Sequence, residues 1–490
     1  MKLPLGAATT LRAAVAVPAA LLAGSILAAP ALGQTPRAGL PAVLHIGQID
    51  RQDVRTQAGC EPDTLVEPDV AVSPFNPNIQ VAVAHDCRFA DAGAVDISYA
   101  WTHDGGAHWH HAPLPKLTKA VGGAWDRASD PVVAFGPDGT VYISALAISL
   151  GCPSGVTVSR STNGGRTFSR PVLVHKSTKC TSLDDKDWLV VDTQPTSPFY
   201  GRVYVFWTAF LSGSSGQITG VPQVVRWSGD HGRHWSATHR VTPKTASTQN
   251  SQPMIRPDGT LTDVYMSFGG GVGGGPNAIV REHGPGPATQ PSGVTLVART
   301  SRDGGATWSA AARVVANVGG GPADIRCCLP SSTADPVTGR LYTVWLGNGP
   351  GSRDPVRLST STDGRHWSAP VQVTPDRSAT IQHVNVDVTA HGGKVFVSYG
   401  TRNTAVASGN LVQQQVSSST NGGKTFAPAM SLGPASNLRF AAVAGAKFPG
   451  DYIGSSATAK RLTLVWCVSS RPANPVRVYH QVLFAAVLRP

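Results

Sequence analysis

Short segments in which apolar and polar residues alternate recur along the whole chain. Seven of them share a composition rich in β-branched and aromatic residues, at residues 79–83, 141–145, 203–207, 264–268, 341–345, 395–399 and 462–466. Alternation over about five residues of this kind is typical of strands. Turn residues such as Pro137-Asp138-Gly139 come directly before these segments. The pattern predicts an all-β chain that repeats one strand seven times.

A second strand is predicted before each of these seven segments, so that the two begin a repeating unit. The earlier strands are expected at residues 69–73, 131–135, 188–192, 253–256, 325–329, 384–388 and 452–456. The chain has 490 residues, of which 53 are Gly and 38 are Pro, without the three-residue period of collagen. This composition disfavours long helices and agrees with short strands joined by turns.

Six copies of a shorter pattern lie between the predicted strands. Each has Ser or Thr, then Asp or Asn two residues later, then glycine, and ends on Trp or Phe; the copies are residues 102–109, 161–168, 228–235, 301–308, 361–367 and 419–426. The Asp or Asn oxygen accepts backbone N–H groups, glycine adopts a positive φ, and the ring anchors the turn on the sheet. We therefore expect six hairpin turns, including the two that carry Asn163 and Asn421.

The six-copy pattern is the Asp-box, or BNR repeat, and through it the chain resembles the sialidase-like β-propellers. The resemblance covers essentially everything after residue 33. It implies four-stranded blades with the innermost strand first and the box between the third and fourth strands. The familiar sialidase propeller has six blades, but the boxes here start about 63 residues apart and residues 43–490 hold seven strand repeats. We expect a seven-bladed β-propeller, with six blades as the alternative.

The seventh unit lacks both a box and a fourth strand. Residues 43–48 can supply that outer strand beside residues 476–485, so that an N-terminal strand closes the C-terminal blade. Joining both ends of the chain in one blade removes an open sheet edge. We expect the segment around Leu44 to pair with the strand around Tyr479.

Residues 1–33 have the features of an export signal. Lys2 and Arg12 supply positive charge, residues 13–29 are apolar, and Ala31-Leu32-Gly33 fits a cleavage site. The apolar stretch is shorter than the ~20 residues of a retained membrane span. The prediction is a secreted monomer without a membrane span, in which residues 34–490 form a single propeller domain.

The formal charge is +12, from 41 Lys and Arg against 29 Asp and Glu. The basic residues are scattered singly, which does not favour a nucleic-acid groove, and the expected partner is a glycan or glycoconjugate. No spacing of His and Cys indicates zinc. Asp184, Asp185 and Asp187 are candidate Ca²⁺ ligands, but they lack the Ca²⁺-loop pattern. Solvated loop carboxylates are the preferred interpretation, and no cofactor is predicted.

In such a propeller, the loops before the first strands and after the second strands surround one mouth of the central channel. The resemblance implies three arginines for a substrate carboxylate, a tyrosine nucleophile activated by a glutamate, and an aspartate as acid and base. By position, Glu67 and Tyr452 are the candidate pair. The candidate acids are Asp69, Asp130 and Asp451, and the candidate anion-binding residues are Arg127, Arg326, Arg402 and Arg471.

The chain departs from the family pattern, however. The early Arg-Ile-Pro motif is missing, because Met254-Ile255-Arg256-Pro257 is only superficially similar, and the chain has only three glutamates. Two functions therefore stay open. One is an exported glycoside hydrolase of the exo-sialidase type, and the other is a non-catalytic propeller that binds glycan, cell-wall polymer or protein.

Seven cysteines in an oxidising compartment predict disulfides. With the propeller topology, the predicted pairs are Cys60–Cys87 and Cys152–Cys180, because each pair flanks the mouth. Cys327 and Cys328 could bridge each other, or one of them could reach Cys467.

Overall fold

The computed structural model describes residues 40–178, 182–269, 293–347, 354–376, 378–406 and 409–490. Residues 1–33, the predicted export signal, lie outside these ranges. The described residues form antiparallel sheets, with short 3-10 turns at Lys119–Val121 and Leu438–Phe440 and no α-helix. No helix in this part of the chain has the length and apolar character to cross a membrane. The all-β prediction is confirmed.

The described strands form six larger antiparallel sheets and one two-stranded pair. The eight-stranded sheet is divided here into sheets 1 and 2, which gives seven sheet units that follow one another along the described chain. Sheet 1 contains β2 Asp69–Val72, β3 Gln80–Arg88, β4 Ala94–Thr102 and β5 His110–Pro113. Sheet 2 contains β6 Arg127–Phe135, β7 Val141–Ile148, β8 Ser154–Ser161 and β9 Val172–Lys176. Sheet 3 contains β10 Leu183–Val191, β11 Val203–Ser212, β13 Gln223–Ser228 and β14 His239–Arg240, with β12 Ile218–Gly220 beside β11. A single pair, Ala94 and Ala128, joins sheets 1 and 2.

The next three sheets repeat the same order. Sheet 4 contains β15 Thr248–Ile255, β16 Leu261–Phe268, β17 Val294–Ser301 and β18 Ala312–Ala316. Sheet 5 contains β19 Ser331–Ala334, β20 Leu341–Leu346, β21 Val356–Ser361 and β22 Val371–Gln372. Sheet 6 contains β23 Ile381–His391, β24 Lys394–Asn403, β25 Leu411–Ser419 and β26 Met430–Asn437. A two-stranded pair, β27 Ala442–Val443 and β28 Lys447–Phe448, precedes the last sheet.

Sheet 7 combines the two ends of the described chain. It contains β29 Gly454–Ala457, β30 Leu462–Ser469, β31 Gln481–Arg489 and, at its edge, β1 Ala42–Asp50. β1 pairs antiparallel with β31, from Ala42 opposite Arg489 to Asp50 opposite Leu483. The third strand was expected at residues 476–485 but begins at Gln481, so Tyr479 precedes it.

The first strands of the seven sheets contact one another in sequence order. β2 contacts β6, and the contacts continue through β10, β15, β19 and β23 to β29, which in turn contacts β2. The second strands are buried along most of their length, and Trp207, Trp345 and Tyr204 are among the largest fully buried side chains. These aromatic residues pack the core between sheets, as sandwiched sheets require.

The fifth first strand is a correction to the sequence prediction. It was expected at residues 325–329 but lies at Ser331–Ala334, beyond Pro330. Cys327 and Cys328 form a vicinal disulfide, and Cys328 has a φ of 106°. The backbone N–H groups of Cys328 and Leu329 donate to the Asp451 carbonyl at 3.2 and 3.0 Å and not to β20, so the strand begins only after Pro330.

The six predicted turns share one hydrogen-bond pattern. In the first, the Thr102 hydroxyl accepts the Gly106 N–H at 3.1 Å, and Asp104 Oδ1 accepts the His108 N–H at 3.0 Å. Asn163 and Asn421 accept the corresponding N–H groups at 3.0 Å, as predicted. The closing aromatic residues pack on the hydrophobic core; they are Trp109, Phe168, Trp235, Trp308, Trp367 and Phe426.

The cysteines are resolved in part. The predicted Cys60–Cys87 disulfide is confirmed. Cys180 lies outside the described residues, so the Cys152–Cys180 pair stays a prediction. Cys327 and Cys328 bridge each other, and Cys467 is a buried free thiol.

Candidate functional site

A cavity of about 200 Å³ lies where the first strands begin and the second strands end. Sheets 1 to 5 and the segment before sheet 7 all contribute to its lining. The charged residues of the lining are Glu67, Arg88, Asp91, Asp130, Asp184, Asp185, Lys186, Arg326 and Asp451. Leu146, Ile148, Leu183, Leu329 and Phe448 form its apolar part. The lining thus combines acidic and basic groups with apolar side chains that can pack on the face of a ring.

One residue with positive φ stands at or just before the first strand of every sheet. These residues are Glu67, Asp130, Lys186, Asn250, Cys328, Asn385 and Gly450. At four of them the strand pairing shifts register, as in a β-bulge. A left-handed backbone is unfavourable for a side chain other than glycine, and such positions cluster at functional sites. Three of the seven, Glu67, Asp130 and Lys186, line the cavity.

Glu67, His85 and Asp130 converge at the cavity. His85 Nε2 lies 3.1 Å from Glu67 Oε2 and accepts the backbone N–H of Asp130 at 2.7 Å. One ligand atom from each of the three side chains lies within 4.8 Å of the others. The Ser129 hydroxyl donates to Asp130 Oδ1 at 2.6 Å, and the Asp451 N–H donates to Glu67 Oε1 at 3.3 Å. The two carboxyl groups are therefore neighbours with fixed orientations.

Burial separates the protonation states of these groups. It lowers the pKa of His85 to about 3, with the charges of Arg88 and Lys186 adding to the effect, so the imidazole is neutral at pH 7. Burial, together with the negative charges of Asp130 and Asp451, raises the pKa of Glu67 well above its ordinary value. Burial and the charge of Asp185 raise the pKa of Asp130 to about 6.

Lys186 and Tyr452 lie beside this group. The Lys186 Nζ is buried, has no hydrogen-bond partner among the described residues, and lies 3.9 Å from the ring centroid of Tyr452 and 4.3 Å from that of Trp188. The Tyr452 hydroxyl donates to the Pro131 carbonyl at 3.3 Å. Burial raises the pKa of Tyr452 well above its ordinary value. The phenol is therefore held neutral, with its proton directed to the backbone.

The predicted arginines do not come together. Arg326 lines the cavity, 3.4 Å from Asp451. Arg127 bonds Asp91 at 2.7 Å, and Arg402 holds Asp324 with both Nη atoms. Arg471 is exposed, and neither it, Arg127 nor Arg402 belongs to the cavity lining. The described residues do not form a three-arginine clamp for a carboxylate at this cavity.

The predicted acids are divided between two chambers. Asp130 and Asp451 line the first cavity with Glu67. Asp69 lines a second cavity of about 590 Å³, together with Asp387 and the later halves of the first strands. Burial raises the pKa of Asp69 to about 6, although its Oδ2 accepts the Val133 N–H at 2.9 Å.

The aspartates considered as Ca²⁺ ligands are more buried than expected. Asp184 accepts the Trp207 indole N–H at 2.9 Å, and Asp185 accepts the Gln249 amide at 2.9 Å. Asp187 is fully buried. The expectation of solvated loop carboxylates is wrong for Asp184 and Asp187, because their bulged strand turns inward at Lys186. Within the described chain, these three do not form a convergent ligand group.

Comparisons with known proteins give weak similarities. No family model matches the chain, and no curated protein matches it. A Hadza microbial sialidase structure is 12% identical, covers 92% of this chain and 94% of its own, and has a TM-score of 0.45. An α-L-arabinanase structure of Penicillium chrysogenum is 13% identical, covers 73% of this chain and 94% of its own, and has a TM-score of 0.47. The structure of a Dyadobacter fermentans protein of unknown function is 12% identical, covers 91% of this chain and 99% of its own, and has a TM-score of 0.43. Similarity at this level assigns the chain neither a family nor an activity.

His85, Arg88 and Lys186 are site residues that had no role in the sequence prediction. His85 and Arg88 lie in the last part of β3, at the end where the rim was expected, so their position could be predicted. Lys186 sits among three aspartates in the sequence, and a lysine within an acidic run looks like a solvated charge. Its burial follows from the bulge in β10, which local sequence does not reveal.

Proposed function

We propose that the chain is an exported, Asp-box β-propeller of the sialidase-like type, in which the seven sheets are seven blades. Three observations support this: the repeated turns, the contacts between successive first strands, and the pairing of β1 with β31. The Cys60–Cys87 disulfide is consistent with an oxidising compartment outside the cytosol. Residues 34–490 would then form one domain that acts as a monomer.

We further propose that the mouth of the propeller is the active site of a glycoside hydrolase. The observation that carries this proposal is the approach of Glu67 and Asp130, with oxygens within 4.8 Å of each other, in a cavity of about 200 Å³. Glycosidases need one protonated and one ionised carboxyl group on the two sides of the scissile bond. A cavity of this size suits one sugar ring, and the apolar wall suits its face.

The protonation states assign the roles. Glu67, whose pKa is raised well above its ordinary value by burial and by the charges of Asp130 and Asp451, is the general acid that protonates the departing glycosidic oxygen. Asp130 is ionised at neutral pH and attacks or stabilises the anomeric carbon. Carboxyl groups only about 5 Å apart leave no room for an intervening water, so the geometry favours retention of configuration through a covalent intermediate. Glu67 then activates the water that releases the sugar.

The charge of the cavity argues for a neutral sugar rather than a sialoside. The lining holds six carboxyl groups against Arg88, Lys186 and Arg326. Arg88 is already bonded to the Val443 carbonyl at 2.9 Å and contacts Glu61, and Arg326 contacts Asp451. A substrate carboxylate would meet engaged cations and surplus negative charge. Tyr452, whose hydroxyl bonds Pro131, is not the proposed nucleophile.

The test is hydrolysis of a panel of fluorogenic neutral glycosides and one sialoside by the purified exported chain. We expect turnover of a neutral substrate. Glu67→Gln and Asp130→Asn should each lower kcat roughly 10²–10⁴-fold, the range for loss of a catalytic acid or base. The matched control is Asp387→Asn, the same change at a buried aspartate that lines the second cavity.

Loss of activity in Asp387→Asn equal to that in Asp130→Asn would contradict the assignment. Turnover of the sialoside alone would contradict the neutral substrate. If no glycoside is turned over but glycans are retained on the immobilised protein, the alternative of a binding propeller holds, because the charged cavity would then serve recognition only.

A further inference from the structure

A second group of acidic residues, none of which lines the cavity at the mouth, lies where β1 leaves sheet 7. β1 ends at Asp50, and the next residues cross to sheet 1. There the backbone N–H groups of Asp53 and Val54 donate to Asp86 Oδ2 at 2.8 and 3.1 Å. Asp86 belongs to β3, so this junction connects the N-terminal strand with the first sheet.

Three side chains converge at this junction. His111 Nδ1 lies 2.9 Å from each carboxylate oxygen of Asp53 and 3.4 Å from Asp50 Oδ1. One ligand atom from each of Asp50, Asp53 and His111 lies within 4.8 Å of the others. His111 and Asp53 are partly exposed, which leaves a path from solvent, whereas Asp50 is fully buried.

These carboxyl groups share a single basic partner. Within the described chain, His111 is the one ion-pair partner of Asp50 and Asp53, and Asp86 has none. Asp50 also accepts the Arg51 N–H and the Ser98 hydroxyl. Asp86 is completely buried, and its Oδ1 has no hydrogen-bond partner among the described residues, although its Oδ2 holds the Asp53 backbone. A buried carboxylate oxygen without a donor is costly unless a cation or a proton satisfies it.

We propose that Asp50, Asp53 and His111, supported by Asp86, bind one divalent metal cation that fastens the end of β1 to sheet 1. Carboxylate oxygens suit Ca²⁺ and Mn²⁺, and an added imidazole nitrogen suits Mn²⁺ and Zn²⁺. The Glu67, His85 and Asp130 group is a poorer cation site, because Arg88, Lys186 and Arg326 line the same cavity. In addition, His85 Nε2 already accepts the Asp130 N–H there.

The test uses the purified exported chain, freed of metal with a chelator and melted with increasing CaCl₂, MnCl₂ or ZnCl₂. We expect a saturable rise in Tm with at least one cation, of roughly 3 °C at a hundredfold excess over Kd for a chain of this size. The same cation should slow amide hydrogen exchange at residues 51–54. Loss of the Zn²⁺ or Mn²⁺ shift in His111→Ala would identify the imidazole as a ligand.

Asp53→Asn and Asp86→Asn should lose most of the Tm shift, and each can still accept hydrogen bonds through its amide oxygen. Circular dichroism verifies that they fold. Glu67→Gln is the matched control at the other convergent group and should keep the full shift. No saturable shift with any of the three cations would overturn the proposal, since protons would then satisfy the carboxyl groups. A shift that disappears in Glu67→Gln but persists in Asp53→Asn would also overturn it.

Discussion

Lys186 combines a left-handed backbone, a buried ammonium group and two aromatic neighbours at the centre of the acidic cluster. Its positive charge opposes the effect of burial on the pKa values of Glu67, Asp69 and Asp130. Without this charge, the carboxyl groups would hold their protons to still higher pH. The side chain therefore acts on the proposed reaction through its neighbours, as a positioning residue.

Lys186→Met should move the acidic limb of the pH–rate profile upward by on the order of one pH unit, because a nearby cation lowers a carboxyl pKa by about that much or more. In the wild type, activity should fall below about pH 6, where Asp130 takes up a proton, and again at higher pH, where Glu67 loses its proton. The measurement is kcat/KM against pH. Lys186→Arg keeps the charge and should leave the acidic limb of the profile where it is in the wild type. If the acidic limb does not move in Lys186→Met, Lys186 does not act on the carboxyl pKa values.

At the residue level, the sequence located some site residues and misplaced others. Glu67, Asp130, Asp451 and Arg326 line the cavity because they occupy entrances to first strands, which strand periodicity locates. The partners of Arg127 and Arg402, Asp91 and Asp324, could not be foreseen. A guanidinium group pairs with whichever carboxylate lies nearest to it in the folded chain. The conformation of the loops determines which carboxylate that is, and the strand pattern does not reveal it.

At the scale of elements, the seven residues with positive φ at the starts of the first strands determine how the neighbouring side chains are oriented. In sheet 7 the residue is Gly450, with a φ of 109°, and a Cβ there would lie 2.7 Å from the backbone nitrogen of Glu67. Sheets 7 and 1 therefore meet at backbone distance directly beside the proposed acid. Glycine and asparagine tolerate a positive φ better than most residues. Asn250, Asn385 and Gly450 were therefore the sequence features that could have indicated this conformation.

Gly450→Ala should destabilise the protein by about 2–3 kcal/mol and lower activity, because strain in the backbone adds to displacement of Glu67. The control is Gly139→Ala, at a φ of 82° with no atom within 4 Å of the added Cβ. It should cost only about 1 kcal/mol and leave kcat unchanged. Urea unfolding and the glycosidase assay measure the two effects. If both variants lose the same unfolding free energy and keep the same kcat, the close approach of Gly450 to Glu67 affects neither stability nor activity.

The strands were predictable because their alternation is local, and all seven second strands lie where the pattern put them. The first strand of sheet 5 was not, because Cys327, Cys328 and Pro330 read as an apolar run. The backbone N–H groups of Arg326, Cys328 and Leu329 donate there to carbonyls of Lys447 and Asp451, a long-range contact that the local sequence does not reveal. The side-chain geometry where the first strands begin could not be predicted, because it depends on contacts between sheets.

For the molecule as a whole, buried carboxyl groups should dominate the pH dependence of stability. Burial raises the pKa of Asp263 and Asp387 to about 7, and that of Asp69 and Asp184 to about 6. Their stabilising contribution is complete at low pH and is lost as pH rises through these values, since the unfolded chain gives up these protons earlier. His85 and His175, whose pKa values burial lowers to about 3 and about 4, act in the opposite direction below pH 6.5.

Because the carboxyl groups outnumber these histidines, Tm should be higher at pH 6 than at pH 8. Asp263→Asn should reduce that difference by about 1 kcal/mol of unfolding free energy, as expected for one group that titrates in this interval. Asp258→Asn is the control, because its partial burial is outweighed by hydrogen bonds from Thr260 that lower its pKa. Calorimetry at pH 6 and pH 8 measures Tm for the wild type and both variants. A wild-type Tm that is higher at pH 8 than at pH 6 would refute the expectation.

The pairing of β1 with β31 has a consequence for biosynthesis. A ribosome makes β1 long before its ladder partner β31, so β1 stays unpaired while the strands between them are made. Sheet 7 can be completed only when both are available. A prematurely terminated chain therefore carries two exposed edges, one at each terminus, which is the kind of surface that chaperones and proteases recognise.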